Sequence, residues 1–148
     1  MISLPFRRTR RTLNIDALYG MIVAQARSPA FYQAYGVPDT VDGRLDMLIL
    51  HLVLLVRRFN PGPATMQPTL ASAGELLFDR FCRDIDDNFR EMGMGDLKVP
   101  QEMRRVAGAF YGRSNAYETA LETDDEAPLA AAIARNVFGA APPPPLGA

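Results

Sequence analysis

The sequence predicts an all-α protein, a single-domain bundle of about six helices around one buried hydrophobic helix. Apolar residues recur at the spacing of an α-helix in successive segments, and no segment alternates apolar and polar residues as strands do. Glycine and proline separate these segments. A chain of 148 residues is long enough for one core. We expect a basic flexible arm at 1–13, the helical domain at 14–139 and a proline-rich tail at 140–148.

The first two segments predict a long helix followed by a short one. Between Asn14 and Arg27 the apolar residues have helical spacing, and Asn14 or Asp16 can accept hydrogen bonds from the free amides at the start. Proline suits the first turn of a helix. We therefore expect a short second helix that begins at Pro29 and is closed by Gly36.

The most hydrophobic stretch, RLDMLILHLVLLVRRF at 44–59, predicts the central helix. Its apolar part, 45–56, has twelve residues, or about 18 Å of helix, whereas a bilayer core requires about 20 apolar residues. The stretch is therefore too short to span a membrane. Its apolar side chains point in every direction around the helix, so we expect other parts of the protein to surround it.

The longest helical pattern runs from Leu70 to Met92 and is stopped by Gly93. Its apolar and charged residues occupy opposite faces, which is typical of an amphipathic helix. Residues four apart can form ion pairs on the charged face. The pairs are Asp79 with Arg83, Arg80 with Asp84, and Asp86 with Arg90. Asp84 lies at the edge of the apolar face, where we expect an arginine of another helix to meet it.

Three shorter helices complete the predicted domain. Pro100 suits the first turn of a helix that Gly112 would close, and Ser114 can cap a short helix after it. The last helix passes through Leu129 and Val137.

Charge is distributed unevenly along the chain. The N-terminal arm carries Arg7, Arg8, Arg10 and Arg11 without an acidic residue, and removing these four charges from a net charge of −1 leaves −5. An acidic body repels phosphate, so the folded part is not expected to bind DNA. The arm is either a solubilising tail or a contact for a membrane or RNA. No hydrophobic signal segment follows the N-terminus, so we expect a cytoplasmic protein.

No residue pattern indicates catalysis, a metal site or a cofactor. His51 is the sole histidine and lies within the apolar helix without a nearby carboxylate, so we interpret it as a hydrogen-bonded core residue. Cys82, the sole cysteine, faces the apolar side of its helix, where a thiol stays neutral. The acidic run is interpreted as a solvated face, because a di-iron bundle would require two histidines. It comprises Asp79, Asp84, Asp86, Asp87 and Glu91.

A series of short motifs carries a family resemblance. In order they are GVPDT, DGR, LH, DxDxNFREMG, GDLxV and FYGR, within a match from about Tyr19 to Leu121. In these motifs the sequence resembles the ubiquinol-cytochrome c chaperone family. The resemblance implies an all-helical, non-enzymatic assembly factor for the respiratory ubiquinol-cytochrome c reductase. Its implied partners are newly made cytochrome b, a small partner chaperone and the ribosome, with a peripheral position at the inner face of the plasma membrane, or on the matrix side in a eukaryote.

The motif positions supply six of the seven candidate site residues, and Met94 comes from a concentration of methionine and aromatic side chains around the glycine stop that could line a groove for a client. The seven candidates are Asp39, Arg44, Arg90, Glu91, Met94, Asp96 and Arg113. Two interpretations stay open: ion pairs at loop edges that hold the helix ends together, or direct contact with a client or partner protein. The alternative functions are a small helical enzyme with a carboxylate-bound metal and a ribosome-associated binding module.

Overall fold

The computed structural model describes residues 6–59 and 68–139, with side chains from 14–59 and 73–139. Within these ranges the chain forms α-helices and no strand, which confirms the predicted fold class. The helices are α1 (Phe6–Ala26), α2 (Pro29–Gln33), α3 (Val41–Phe59), α4 (Pro68–Glu91), α5 (Val99–Ala120) and α6 (Ala127–Val137). The proline-rich tail lies outside the described residues.

Helix α1 begins at Phe6, well before the predicted start at Asn14. From Phe6 onward the chain contains no glycine or proline before Gly20, and arginine is a strong helix former. The backbone of the predicted arm is therefore helical from Phe6 onward. Helix α2 has proline in its first turn, as predicted, and the Tyr32 hydroxyl donates a hydrogen bond to the Ala26 carbonyl at 2.8 Å.

Helix α3 is the central helix and packs against α1, α4, α5 and α6. Ile49, Leu52 and Val53 are almost completely buried. The prediction of burial on every side is wrong for the last turns, where the Leu54 side chain is 38% exposed. A helical wheel gives the direction of a side chain but not whether a neighbouring helix reaches it. None of the described helices is long and apolar enough to cross a bilayer.

Helix α5 is one continuous helix, so the predicted end at Gly112 and the predicted new helix after Ser114 are wrong. A glycine inside a helix costs about 1 kcal/mol relative to alanine. Burying a large apolar side chain contributes about 1.5–3 kcal/mol. Phe110 and Tyr117 lie two turns apart on the buried face and span the glycine, and their burial outweighs its cost.

The helix directions bring four helix ends together. Helices α1 and α4 run parallel, because Asp16 meets Arg80 and Tyr19 meets Asp84 one turn further along both helices. The C-terminal ends of α1 and α4 enclose one cavity together with the first turns of α3 and with Arg105 of α5. The cavity therefore lies at one end of the bundle.

Candidate functional site

The cavity between these helix ends is an open apolar groove of about 220 Å³, which we call the end groove. Large side chains at its rim remain exposed: Val41 is 67% exposed and Met92 is 59% exposed. Its apolar lining comprises Val23, Ala26, Val41, Leu45, Leu48, Ile85, Phe89 and Met92. Since monomeric proteins rarely leave such side chains clustered at the surface, the end groove is the candidate binding site.

Charged side chains surround the apolar lining, and most of them are paired. Arg44 contacts Asp39 at 2.7 Å. Arg105 contacts Glu102 at 2.9 Å and lies 3.9 Å from Asp42. These ion pairs join the first turns of α3 and α5 to each other and to the preceding loop. They link neighbouring parts of the groove wall.

Asp84 lies inside the groove, and its partner differs from the predicted arginine. The Tyr19 hydroxyl donates a hydrogen bond to the Asp84 carboxylate at 2.8 Å. Burial, followed by this carboxylate, raises the pKa of Tyr19, so the hydroxyl remains a donor. Arg80 passes over the Tyr19 ring, 5.0 Å from its centroid, and pairs with Asp16 at 2.9 Å. The tyrosine thus occupies the place where an arginine was expected, and the predicted pair of Arg80 with Asp84 is wrong.

A second arginine, Arg90, holds the turn after α4. It contacts Asp86 at 2.8 Å, as the four-residue spacing predicted, and Asp96 at 2.7 Å. Arg90 therefore links the last turn of α4 to the loop that follows Gly93. The φ of Gly93 is +83°. The predicted ion pair of Asp79 with Arg83 does not occur among the described side chains, where both residues point into solvent.

The structure places six of the seven candidate residues near the groove end of the bundle. Asp39, Arg44, Arg90 and Asp96 form the ion pairs described above, which agrees with the interpretation of a rim network. Met94 packs against the core, and Glu91 is exposed. Contact of this set with a partner stays a prediction. The side chains of Arg7, Arg8, Arg10 and Arg11 lie outside the described residues.

The seventh candidate, Arg113, lies elsewhere and is not at a loop edge. It projects from the middle of α5 and contacts Asp46 of α3 at 2.7 Å, with side chains only 22% and 14% exposed. The Nε of Arg113 itself and the hydroxyl of Tyr117 are buried, and neither has a hydrogen-bond partner among the described residues. We call Asp46, Arg113 and Tyr117 the inner polar cluster. A lone aspartate in an apolar helix was the signal that could have predicted it, because a buried carboxylate requires a partner.

We expect the inner polar cluster to make the stability of the protein depend on pH. Burial raises the pKa of Asp46 to about 6, against the opposing effect of Arg113, whereas the unfolded pKa is near 3.8. The folded state thus binds this proton more tightly than the unfolded state does. The stability that the proton contributes is lost as the pH rises from about 4 to 6. Urea unfolding at several pH values in this range should show that the free energy of unfolding falls by about 2 to 3 kcal/mol less in Asp46→Asn than in the wild-type protein. The same pH dependence of stability in the variant and the wild-type protein would contradict the prediction.

The side chains of His51 and Cys82 are packed into the structure. His51 is half-buried, with Nδ1 2.7 Å from the Met47 carbonyl oxygen and the ring packed edge-on against Phe31. This confirms a hydrogen-bonded histidine. Burial raises the pKa of the Cys82 thiol, as expected for a packed cysteine. Within the described residues, no group of three or more His, Cys, Asp or Glu side chains is placed to hold a metal ion.

The fold and the groove define an all-helical binding protein, and comparisons with known proteins give its family. The model of the family described as "Ubiquinol-cytochrome C chaperone" matches residues 33–146. The crystal structure of the Cbp3 homolog from Brucella abortus aligns with a TM-score of 0.74 and 40% identity, covering 88% of this chain and 71% of that one. No curated protein gives a significant match. The chain belongs to the ubiquinol-cytochrome C chaperone family, and this membership indicates a chaperone rather than an enzyme.

Proposed function

We propose that this protein is a chaperone for the assembly of the ubiquinol-cytochrome c reductase complex and that it binds newly made cytochrome b. Membership of the chaperone family, matched over residues 33–146, is the observation that carries the proposal. The likeness to the Cbp3 homolog supports it across most of this chain. The client belongs to a membrane complex, so it exposes apolar segments before assembly that a groove on a helical protein can cover.

The end groove is the surface that we propose for this contact. Its rim presents exposed apolar side chains beside fixed charges, and flexible methionine side chains adapt to different apolar shapes. Four of the candidate residues near it form ion pairs that link the surrounding loops to α3 and α4: Asp39, Arg44, Arg90 and Asp96. We further propose a cytoplasmic or matrix position at the membrane face where cytochrome b is inserted. A small partner chaperone, the ribosome and the Arg-rich segment are proposed to assist there.

Deleting the gene should lower the amount of assembled reductase and its cytochrome b while other respiratory complexes stay near normal. The reason is that an unprotected client aggregates or is degraded before it is assembled. Spectroscopy of cytochrome b and native gels of membrane complexes measure this outcome. Normal reductase in the deletion strain would refute the proposed function, and an equal loss of all complexes would point to a general ribosome-associated role.

Returning single variants to the deletion strain tests the surface. Met92→Glu places a charge at the groove rim and should restore less reductase than the wild-type protein. Met21→Glu is the matched control, because Met21 is 69% exposed on α1 and does not line the groove. If both variants restored the same amount of reductase at equal protein levels, the end groove would not be the surface that binds the client.

A further inference from the structure

Arg27 differs from the other cations of the end groove in having no ion-pair partner among the described residues. Arg44 and Arg105 are already paired with carboxylates at 2.7 Å and 2.9 Å. Arg27 lies at the C-terminal end of α1 and is exposed. It lines both the end groove and an adjoining cavity of about 210 Å³. Its guanidinium is therefore placed beside the apolar lining and is available to a bound molecule.

The arginines of the groove lining are unequally paired. The groove lining holds three arginines and two aspartates, and Asp39 and Glu102 pair with two of these arginines from outside the lining. One of the aspartates, Asp84, already accepts the Tyr19 hydroxyl. Arg27 is thus the cation of the lining that is left without an ion pair among the described residues, and a negative group is the complement that it fits. Complementary charge at an interface favours the correct partner and its register.

The size of the groove indicates what kind of molecule carries that negative group. Pockets for small molecules are usually about 300–1,000 Å³, and the end groove is smaller, at about 220 Å³. It is also open on one side, with Val41 and Met92 exposed at the rim. A space of this size and shape suits one or two large apolar side chains of a peptide better than it suits a whole lipid.

We propose that the end groove binds an apolar peptide segment of the client whose carboxylate side chain pairs with Arg27. This inference rests on the proposed chaperone function and adds a chemical requirement to it. The apolar side chains supply burial against residues such as Leu48 and Phe89, and the ion pair selects segments with an acidic residue next to the apolar ones.

Binding of three synthetic peptides to the full chain tests this requirement. The peptides share a Leu-Phe pair and differ at one neighbouring position, which is Glu, Gln or Lys. Fluorescence anisotropy should show that the Glu peptide binds about threefold to fivefold more tightly than the Gln peptide, because the pair is partly exposed to solvent. The preference should decline with added salt. Arg27→Gln should abolish it, and Arg27→Glu should favour the Lys peptide.

The matched control is Arg83→Glu, which makes the same charge change on an exposed position of α4 outside the groove. It should keep the preference for the Glu peptide. Equal affinity for all three peptides, absence of binding, or a preference that survives Arg27→Gln would each overturn the inference. Displacement of the peptides by oleate, with no discrimination among them, would indicate a lipid site and also overturn it. Reductase assembly in the deletion strain is scored separately, so the proposed function can stand where this inference fails.

Discussion

Replacing Gly43 by alanine is expected to destabilise the protein by about 3 kcal/mol, the upper part of the range for inserting a methyl group into a packed site. Gly43 is buried in the first turn of α3, and its amide donates a hydrogen bond to the Thr40 hydroxyl at 3.0 Å. A Cβ at this position would overlap the Pro38 carbonyl oxygen. The obstructing atom belongs to the backbone, so no side-chain rotation can relieve the overlap.

Urea unfolding at fixed pH measures the effect as a change in midpoint. Gly20→Ala and Gly108→Ala are matched controls, because both positions are helical and no neighbouring atom lies within 4 Å of the added Cβ. Each should stabilise the protein by about 0.5–1 kcal/mol. If Gly43→Ala stabilised the protein as these controls do, the α2–α3 loop would not lie as close to α3 as described.

The same variant should disturb the candidate site. The loop that meets Gly43 carries Asp39, whose ion pair with Arg44 forms part of the groove wall. Moving Pro38 away from α3 would shift this wall. We therefore expect Gly43→Ala to weaken peptide binding even under conditions where most of the protein remains folded.

The sequence could predict those elements whose residues carry the signal locally. Helix α4 follows from the four-residue spacing of Leu77, Phe81, Ile85 and Phe89, all of which are buried. The ends of the predicted helices were less secure, because glycine imposes only a small local cost. At Gly112 that cost is outweighed by the burial of neighbouring side chains, which depends on packing against other helices. Local spacing contains no information about that packing.

The candidate site shows the same division. The family motifs contain several residues that line the end groove, among them Arg44, Phe89 and Met92, but the motifs do not show that α1, α3 and α4 place these residues around one cavity. Arg27 was not predicted, because its role depends on α1 ending beside the start of α3 and the end of α4. Arg113 was placed in the wrong surroundings for a related reason. Its motif ends in a glycine and an arginine, which suggested a loop, whereas the helix continues and buries the arginine against Asp46.

Replacing Arg113 by methionine should cost about 3 kcal/mol of stability at neutral pH, because it leaves the Asp46 carboxylate buried without its counter-charge. The Asp46 side chain is only 14% exposed, so water can restore little of the lost interaction. Loss of the guanidinium also removes the group that opposes the rise in the Asp46 pKa. The destabilisation should therefore shrink as the pH is lowered and the carboxylate takes up a proton.

A double variant separates the ion pair from the packing around it. Asp46→Leu combined with Arg113→Met replaces both charges by apolar side chains and should recover most of the lost stability, since buried ion pairs are often no better than apolar packing. The two single changes would then be strongly non-additive. Tyr117→Phe should be nearly neutral, because it removes a buried hydroxyl that has no partner among the described residues. Additive losses in the double variant would show that the two side chains do not act as a pair.

The double variant also decides between the two interpretations of Arg113. If the residue serves only to join α3 to α5, the double variant should support reductase assembly as well as the wild-type protein once its stability is restored. If Arg113 instead contacts a partner, assembly should fail although the protein is folded and present at normal levels. Since its side chain is 22% exposed and directed at Asp46, we expect the first result. The surface that recognises the client would then lie in the end groove, with Arg113 maintaining the helix packing behind it.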